Sequence, residues 1–376
     1  MDHALSLTAR LRAEAHRLGF FKMGTVAAGP LPWKQHFDAW LADGMHGEMR
    51  YLERQADKRR EPALVLDNVR SIVVLAMNYH AAVAPPEDPL RGRISRYAWG
   101  EDYHRLIRGR VRALLDFVKR ERPDARGLLY VDTGPVMEKV WGAHSSLGWM
   151  GKHTNLITRE QGSWFFTGVI LLDLELEYDA REKDYCGRCR RCIEACPTGA
   201  IVAPYAVDAR LCISYLTIEL KGAIPRRLRP LIGNRIFGCD DCQEACPWNR
   251  FAVSTGEQKF WPRGGNLAPE LTRLAAITQE EFDARFKDSP VRRAKRDGFV
   301  RNVVTALGNS HRSEAVPALA RAMRDTSPLV RAHAAWALGQ IGSPQAQAAL
   351  EKARRVESDP EILEEIELAF RWLCGA

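Results

Sequence analysis

Cys186-Gly-Arg-Cys189-Arg-Arg-Cys192-Ile-Glu-Ala-Cys196-Pro197 and Cys239-Asp-Asp-Cys242-Gln-Glu-Ala-Cys246-Pro247 decide how this chain is read. The first run has the spacing and trailing proline with which paired [4Fe-4S] cubes are held. The second lacks its leading cysteine, and Cys212, in the segment between, restores the eight thiolates that two cubes need. In such a run the three closely spaced cysteines converge on one cube, while the cysteine before proline is carried to the other. Cys186, Cys189, Cys192 and Cys246 are therefore assigned to one cluster, and Cys196, Cys212, Cys239 and Cys242 to the other. Structural zinc on Cys186, Cys189, Cys239 and Cys242 is the alternative, but it leaves four cysteines without a role. A disulfide framework belongs to secreted chains, and nothing here marks one.

At 376 residues the chain is long for one core, so two or three domains are expected. Met1-Asp2-His3 leads into Leu5, Leu7, Leu11 and Leu18 with Arg10, Arg12 and Arg17 between, an amphipathic helix pattern and not a signal peptide. The longest apolar run, Ile72 to Met77, is far short of the ~18 residues of a membrane span. A soluble, cytoplasmic protein with reduced cysteines is expected.

The net charge of +8 is unevenly spread. Lys221, Arg226, Arg227, Arg229 and Arg235 lie in a stretch without acids, and seven basic residues between 285 and 301 face only Asp288 and Asp297. These two segments carry +10, so the remainder is net acidic. Two basic stretches flanking a redox segment favour a phosphate-bearing partner over two merely solvated loops.

Ser71–Met77, Gly127–Val131 and Trp164–Leu174 read as buried strands, and Tyr103–Val118 has the apolar spacing of a helix. Thr133-Gly134-Pro135 is expected to open another helix. Further on, Ser327-Pro328, Ser343-Pro344 and Asp359-Pro360 recur every 16 residues, each a capping residue followed by proline and each marking a helix start. Val300 to Gly308 is echoed by Val330 to Gly339, the pattern of a short HEAT-like array. With about two repeats it should lean on the rest of the chain.

Ser95-Arg-Tyr-Ala-Trp-Gly100, Tyr103-His104, Val131-Asp-Thr-Gly-Pro-Val-Met-Glu-Lys139 and Gly148-Trp-Met-Gly-Lys-His-Thr-Asn155 precede the cysteine runs. In that order, with the helical tail, they resemble the epoxyqueuosine reductase family over essentially the whole chain. The resemblance implies a multidomain α+β protein. Residues 1–180 would form a nitroreductase-like α/β domain that binds cobalamin base-off, and 181–250 a bacterial ferredoxin-like domain with two [4Fe-4S] clusters. Residues 251–296 would be a basic connecting segment and 297–376 a HEAT-like helical repeat domain. The implied reaction is reductive removal of the epoxide oxygen of epoxyqueuosine at the tRNA wobble position. The implied partners are that tRNA and an external low-potential electron donor, with no membrane and a monomeric chain.

Asp132 ends an apolar strand just before a Gly-Pro turn and is the candidate acid for the departing oxygen; its alternative role is a cap for the helix expected from Pro135. Cobalamin contacts are expected from Arg96, Tyr97, Asp132, Lys152, His153, Asn155, Thr167, Ser214, Asp240 and Asp241. Asp102-x-His104 begins a cobalamin-binding signature that Ile107 breaks, so His104 is not expected to ligate cobalt and is read as a packed or surface histidine. Lys152 does not belong to a nucleotide-binding P-loop, because Ser146 and His153 stand where that motif needs glycine and a hydroxyl. Expected tRNA contacts are Lys221, Arg226, Arg227, Arg229, Arg292, Arg293, Lys295, Arg296 and Arg301.

Two rival functions share parts of this pattern. A small-substrate reductase of the reductive dehalogenase type shares the cofactors but has no use for a basic helical tail. A non-catalytic electron carrier leaves the first 180 residues unexplained. A radical S-adenosylmethionine enzyme is disfavoured, since Gly199 and Asn249 stand where its third cysteine would be.

Overall fold

The computed structural model describes residues 5–373, so the first residues of the expected N-terminal helix pattern, Met1 to His3, lie outside it. Its centre is a four-stranded antiparallel sheet of β1 (Lys22–Ala27), β2 (Ser71–Asn78), β4 (Gly127–Tyr130) and β7 (Phe165–Leu172), in the order β1-β2-β7-β4. The remaining strands are short: β3 (Arg93–Ile94) pairs with β8 (Arg235–Phe237), and β5 (Trp149–Met150) with β6 (Leu156–Ile157). β1 went unrecognised in the sequence, because Lys22-Met-Gly-Thr-Val-Ala27 shows no clean alternation.

β2 is apolar without interruption because both its faces are covered. Val73, Leu75 and Met77 meet α1 (Leu7–Arg17) and α2 (Tyr103–Glu121), whose Leu11, Ile107, Val111 and Leu114 fill one layer. Ile72, Val74 and Ala76 face the other layer, with Trp141 from α3 (Glu138–His144) and Phe37. α1 is capped by Ser6, whose hydroxyl accepts from the Ala9 amide. α3 begins at Glu138 and not at Pro135, so the Thr133-Gly-Pro turn is longer than expected and Asp132 caps nothing.

The tail is helical, with α4 (Lys295–Asn309), α5 (Val316–Ala322), α6 (Pro328–Ile341), α7 (Pro344–Arg354) and α8 (Pro360–Leu373). The three Pro-marked starts fall where the spacing puts them. The echoed glycines have one function: a Cβ on Gly308 would meet Ala337 Cα at 2.7 Å, and one on Gly339 would meet Ala369 Cβ at 2.8 Å. Each repeat thus places its glycine where the helix two places further on crosses close to it.

Residues 251–296 are more than a connection. Phe282 and Phe286 stack with Phe299 of α4, and Leu271 and Leu274 join the same core. That core also includes Ile94, Ile236 and Phe237, so the tail leans on the cysteine segment as expected of a short array. Polar bonds reinforce the seam. Arg301, 0% exposed, donates to the carbonyls of Leu216, Leu220 and Gly222 at 2.6–2.9 Å, and Asn302 Nδ2 donates to those of Thr217 and Ile236. His333 Nε2 accepts from the Ile224 amide, and Asn309 Nδ2 donates to the carbonyls of Arg229 and Gly233. Among the described residues no helix is long and apolar enough to cross a membrane.

Removing the Arg301 head strands three buried carbonyls. Arg301→Met is expected to cost about 3 kcal/mol of stability. Urea unfolding followed through the helical signal checks this, and a midpoint equal to that of the unsubstituted chain would show the seam to be held by apolar packing alone.

Candidate active site

The fold brings the eight cysteines into two groups. Cys246 lies within electrostatic reach of Cys186, Cys189 and Cys192, and Cys242 within reach of Cys196 and Cys212, with Cys239 beside it. All eight are free, and burial pushes Cys186, Cys192, Cys212, Cys239, Cys242 and Cys246 above the ordinary thiol value. A thiol so placed gives up its proton to a metal far more readily than to water. Among the described residues no three His, Cys, Asp or Glu side chains converge on a point that would hold one metal ion.

Asp132 stands immediately beyond β4 in the left-handed region, φ +59°, a strained conformation for a residue with a Cβ. Its amide donates to Glu138 Oε1 at 2.7 Å, which fixes the turn. Its Oδ2 accepts the Tyr103 hydroxyl at 2.9 Å and lies 3.3 Å from His104 Nε2. His104 Nδ1 is in turn 2.6 Å from Asp102, the residue whose side chain caps α2. Asp102, His104 and Asp132 therefore form one line of hydrogen bonds, with Tyr103 stacked on both His104 and Phe166.

The charges along this line are set by competition. Desolvation alone would depress His104, but the two flanking carboxylates outweigh it and push the imidazole up to about 9. Burial alone would raise Asp132, and here too the charged His104, with Tyr103 and Lys139, holds it below the usual value. At neutral pH the resting pair is a carboxylate against an imidazolium. Glu138 goes the other way: desolvation, then the Asp132 charge, push it up to about 7, although it accepts from the Thr167 hydroxyl at 3.1 Å.

The surface here is open and concave. Asp132 is 63% accessible, yet burial is the strongest single influence on its titration. Both hold when a group lies on the floor of a wide hollow, where accessible area governs how far water screens it. Lys139 is also exposed, donates to Asn155 Oδ1 at 2.7 Å, and feels Asp132, Cys242, Glu138 and Cys212 together. Tyr97 lies between Asp132 and Asp240, and Ser214 bonds the Cys212 thiol. His153 is buried on this wall: its Nδ1 accepts the Asn155 amide, burial and then Lys139 push it down to about 4, and its Nε2 has no partner.

Several expected contacts are spent elsewhere. Lys152 Nζ donates to the carbonyls of Gly187 at 2.6 Å and Cys189 at 2.9 Å, bracing a cysteine loop instead of facing the hollow. Arg96 donates to Ala81 and Val83 carbonyls and lies over Trp99 and Trp164. Asp240 accepts the Ser95 hydroxyl and the Arg96 amide, and Asp241 pairs with Arg235 at 2.6 Å. Among the basic residues, Arg229 is 2% exposed and paired with Glu365, Arg301 is wholly buried, and Arg296 is held by Asp325. These three cannot reach a phosphate, and Arg226 is half-engaged by Glu364 and Glu365. Lys221, Arg227, Arg292, Arg293 and Lys295 remain exposed, with Arg293 close enough to feel Asp132.

Sequence reasoning missed Tyr103, Glu138 and Lys139 and set His104 aside. The signal was present: Asp102, Tyr103 and His104 open α2 on the side that the end of β4 also reaches. Arg59 was missed as well; buried beside Glu138, it donates to the Gly134 carbonyl at 3.4 Å and steadies the Asp132 turn.

Comparison with known proteins agrees with this geometry. Three family descriptions match: "Epoxyqueuosine reductase QueG, DUF1730" over 59–133, "4Fe-4S double cluster binding domain" over 185–249 and "HEAT repeats" over 296–371. An epoxyqueuosine reductase of Xanthomonas campestris is 42% identical over 340 residues, covering 89% of this chain and 96% of that protein. That of Escherichia coli K12 is 40% identical, covering 89% of each. A crystal structure of epoxyqueuosine reductase with an epoxyqueuosine-modified tRNA-Tyr stem loop superposes with a TM-score of 0.90 at 33% identity, over 97% of this chain and 98% of that one. With relatives this similar over most of its length, the chain belongs to the epoxyqueuosine reductase family.

Proposed function

We propose that the chain converts epoxyqueuosine in the tRNA anticodon to queuosine, on the observation that the thiols of Cys212 and Cys242 and the Asp102–His104–Asp132 line lie about one hollow. Removing an epoxide oxygen as water to leave an alkene consumes two electrons and two protons, and the parts present match that stoichiometry. Cys186, Cys189, Cys192 and Cys246 would ligate one [4Fe-4S] cluster, and Cys196, Cys212, Cys239 and Cys242 the other. Each passes electrons singly, so an external low-potential donor must refill them.

The hollow suits cobalamin. A corrin is rimmed with amide side chains that need donors and acceptors along an open wall. The unpartnered Nε2–H of His153, with Lys139, Asn155 and Tyr97, supplies such a wall next to Cys212 and Cys242. When bound, the cofactor supplies the reduced cobalt centre at which carbon–oxygen cleavage takes place. This chain's residues do the rest. Asp132 and Tyr103 position the epoxide, the imidazolium of His104 passes its proton along Asp132 to the departing oxygen, and Asp102 holds the ring for reprotonation. Glu138, half protonated near neutrality, is placed to provide the second proton. The catalytic acid is thus a histidine–carboxylate pair, where the sequence pointed to a lone carboxyl.

tRNA would lie against Lys221, Arg227, Arg292, Arg293 and Lys295, with the modified base turned out of the anticodon loop into the hollow. A cytoplasmic setting and action as a monomer complete the proposal.

Asp132→Asn should keep both clusters and cobalamin while single-turnover deoxygenation falls by roughly 100-fold or more. Product formation is followed by the loss of one oxygen from the nucleoside mass, and a normal rate removes Asp132 from the chemistry. The rate should decline above about pH 7 as Glu138 loses its proton, and again above about pH 9 as the raised His104 loses its own, the second step being the alkaline limb. His104→Gln should lower the rate and abolish that alkaline limb; a limb that survives in the variant belongs to another group. Cys212→Ala should leave about four irons per chain in place of about eight, and anaerobic iron and sulfide analysis decides it. Finally, Arg292→Glu with Arg293→Glu should weaken tRNA binding and flatten its salt dependence by roughly 0.7 in log–log slope for each phosphate no longer neutralised, measured by fluorescence anisotropy between low and physiological salt. An unaltered slope places the tRNA elsewhere.

A further inference from the structure

The cysteine group that does not face the hollow opens onto a surface of its own. Lys139 ties Asp132 to Cys212 and Cys242, Cys242 lies near Cys192, and Cys192 near Cys186 and Cys189. The sequence of groups runs outward from the reaction floor. At its outer end Cys186 and Cys246 pack with Trp149 and Trp248, and Trp248 continues to Tyr185 at 5.8 Å and Phe251 at 5.8 Å. Tyr185 and Phe251 are 36% and 41% exposed, and Val253 nearby is 52% exposed. This is an apolar, aromatic patch lying directly over a redox centre.

Arg159 and Arg250 border it, and Arg188, Arg190 and Arg191 lie within the run of Cys186, Cys189 and Cys192 that it covers; all five are exposed. Arg159 lies over the Tyr185 ring at 5.3 Å and Arg250 over Phe251 at 4.5 Å, which ties them to the patch. None of the five is in an ion pair among the described residues, whereas Arg292 and Arg293, beside the hollow, are paired with Asp283 and Glu219. The carboxylates in the same segment, Glu182, Asp184 and Glu194, keep their charge, the first two while accepting the hydroxyls of Tyr185 and Tyr205, so the five arginines outnumber these three acids. An unpaired cationic rim about an apolar centre is the complement of an acidic protein face, and such rims raise encounter rates more than affinity.

We propose that this face is the docking surface for a small acidic one-electron carrier, an acidic ferredoxin, which loads the clusters from outside while tRNA occupies the hollow. The proposal rests on the reductive function given above. Each encounter moves one electron: the ferredoxin cluster is oxidised and one cube of this chain goes from the 2+ to the 1+ state, with no proton transferred. Two encounters supply the pair that one deoxygenation consumes. Because the basic residues near Asp132 lie at the other end of the chain of cysteines, donor and tRNA need not compete.

The test is anaerobic stopped-flow bleaching of the clusters in the full holoenzyme by a reduced, acidic plant-type ferredoxin. Photoreduced deazariboflavin, an uncharged reductant, serves as the second arm. Arg188→Glu/Arg190→Glu/Arg191→Glu should lower the bimolecular rate with ferredoxin roughly tenfold or more at low salt and flatten its dependence on ionic strength. The rate with deazariboflavin should be unchanged. Arg159→Glu/Arg250→Glu, outside the cysteine loop, should act in the same direction. Unchanged ferredoxin rates in both variants overturn the proposal, as does an equal loss with both reductants. Lost tRNA affinity with an unchanged ferredoxin rate assigns the face to RNA and overturns it as well. An unsubstituted chain that accepts electrons by either route and leaves epoxyqueuosine intact refutes the function and leaves this surface standing.

Discussion

Each group of four thiols draws on both cysteine runs, and that interleaving is the constraint on which the rest of the structure depends. Cys246 closes the group begun sixty residues earlier by Cys186, and Cys239 and Cys242 close the group begun by Cys196 and Cys212. A segment so short has little apolar core of its own; the buried residues around Cys212 and Cys239 number only a handful, among them Ile213, Leu216, Ile224, Leu228 and Ile232. Small domains of this kind depend on covalent or metal cross-links for stability. Desolvation favours the protonated thiols here, so metal binding would have to release their protons.

The helical tail meets the same requirement from outside. α4 does not contact the cysteine segment by apolar packing alone. Arg301, Asn302 and Asn309 satisfy backbone carbonyls of the irregular chain between Leu216 and Ile236, groups that no helix or sheet pairs. A repeat module usually offers its surface to a partner. This one uses part of its basic surface as internal scaffolding, which is why Arg229, Arg296 and Arg301 look like phosphate contacts in the sequence and are not.

Legibility followed the range of the interactions. The cysteine spacing, the Pro-marked helix starts at 328, 344 and 360, and the buried run of β2 were readable because each is fixed by neighbours a few residues away. Asp132 was readable as the polar end of an apolar strand. Its partners were not: His104 lies 28 residues earlier, and Thr167 bonds Glu138 across 29 residues. Charge type alone could not separate Lys139, exposed in the hollow, from Lys152, spent on the carbonyls of Gly187 and Cys189. The start of α3 was misplaced because a Pro-led turn and a Pro-led helix have the same first residues, and only the Glu138 bond to the Asp132 amide distinguishes them.

The charge pattern in the hollow explains why one carboxyl would not suffice. A lone acid on an open floor would equilibrate with water and be ionised at neutral pH, unable to protonate anything. A buried neutral acid would keep its proton but could not meet a bulky nucleotide. In the proposed reaction the proton would be stored on His104, which two carboxylates push up to about 9, and Asp132 would carry it to the site of use. Glu138, against the buried side of the same turn, is pushed to about 7 by desolvation and by the Asp132 charge. If Asp132 becomes neutral as it accepts a proton from His104, that contribution to Glu138 vanishes and Glu138 becomes the stronger acid. Once Asp132 has delivered that proton it is a carboxylate again, so in the proposed reaction its charge would help hold the second proton on Glu138 until it is needed.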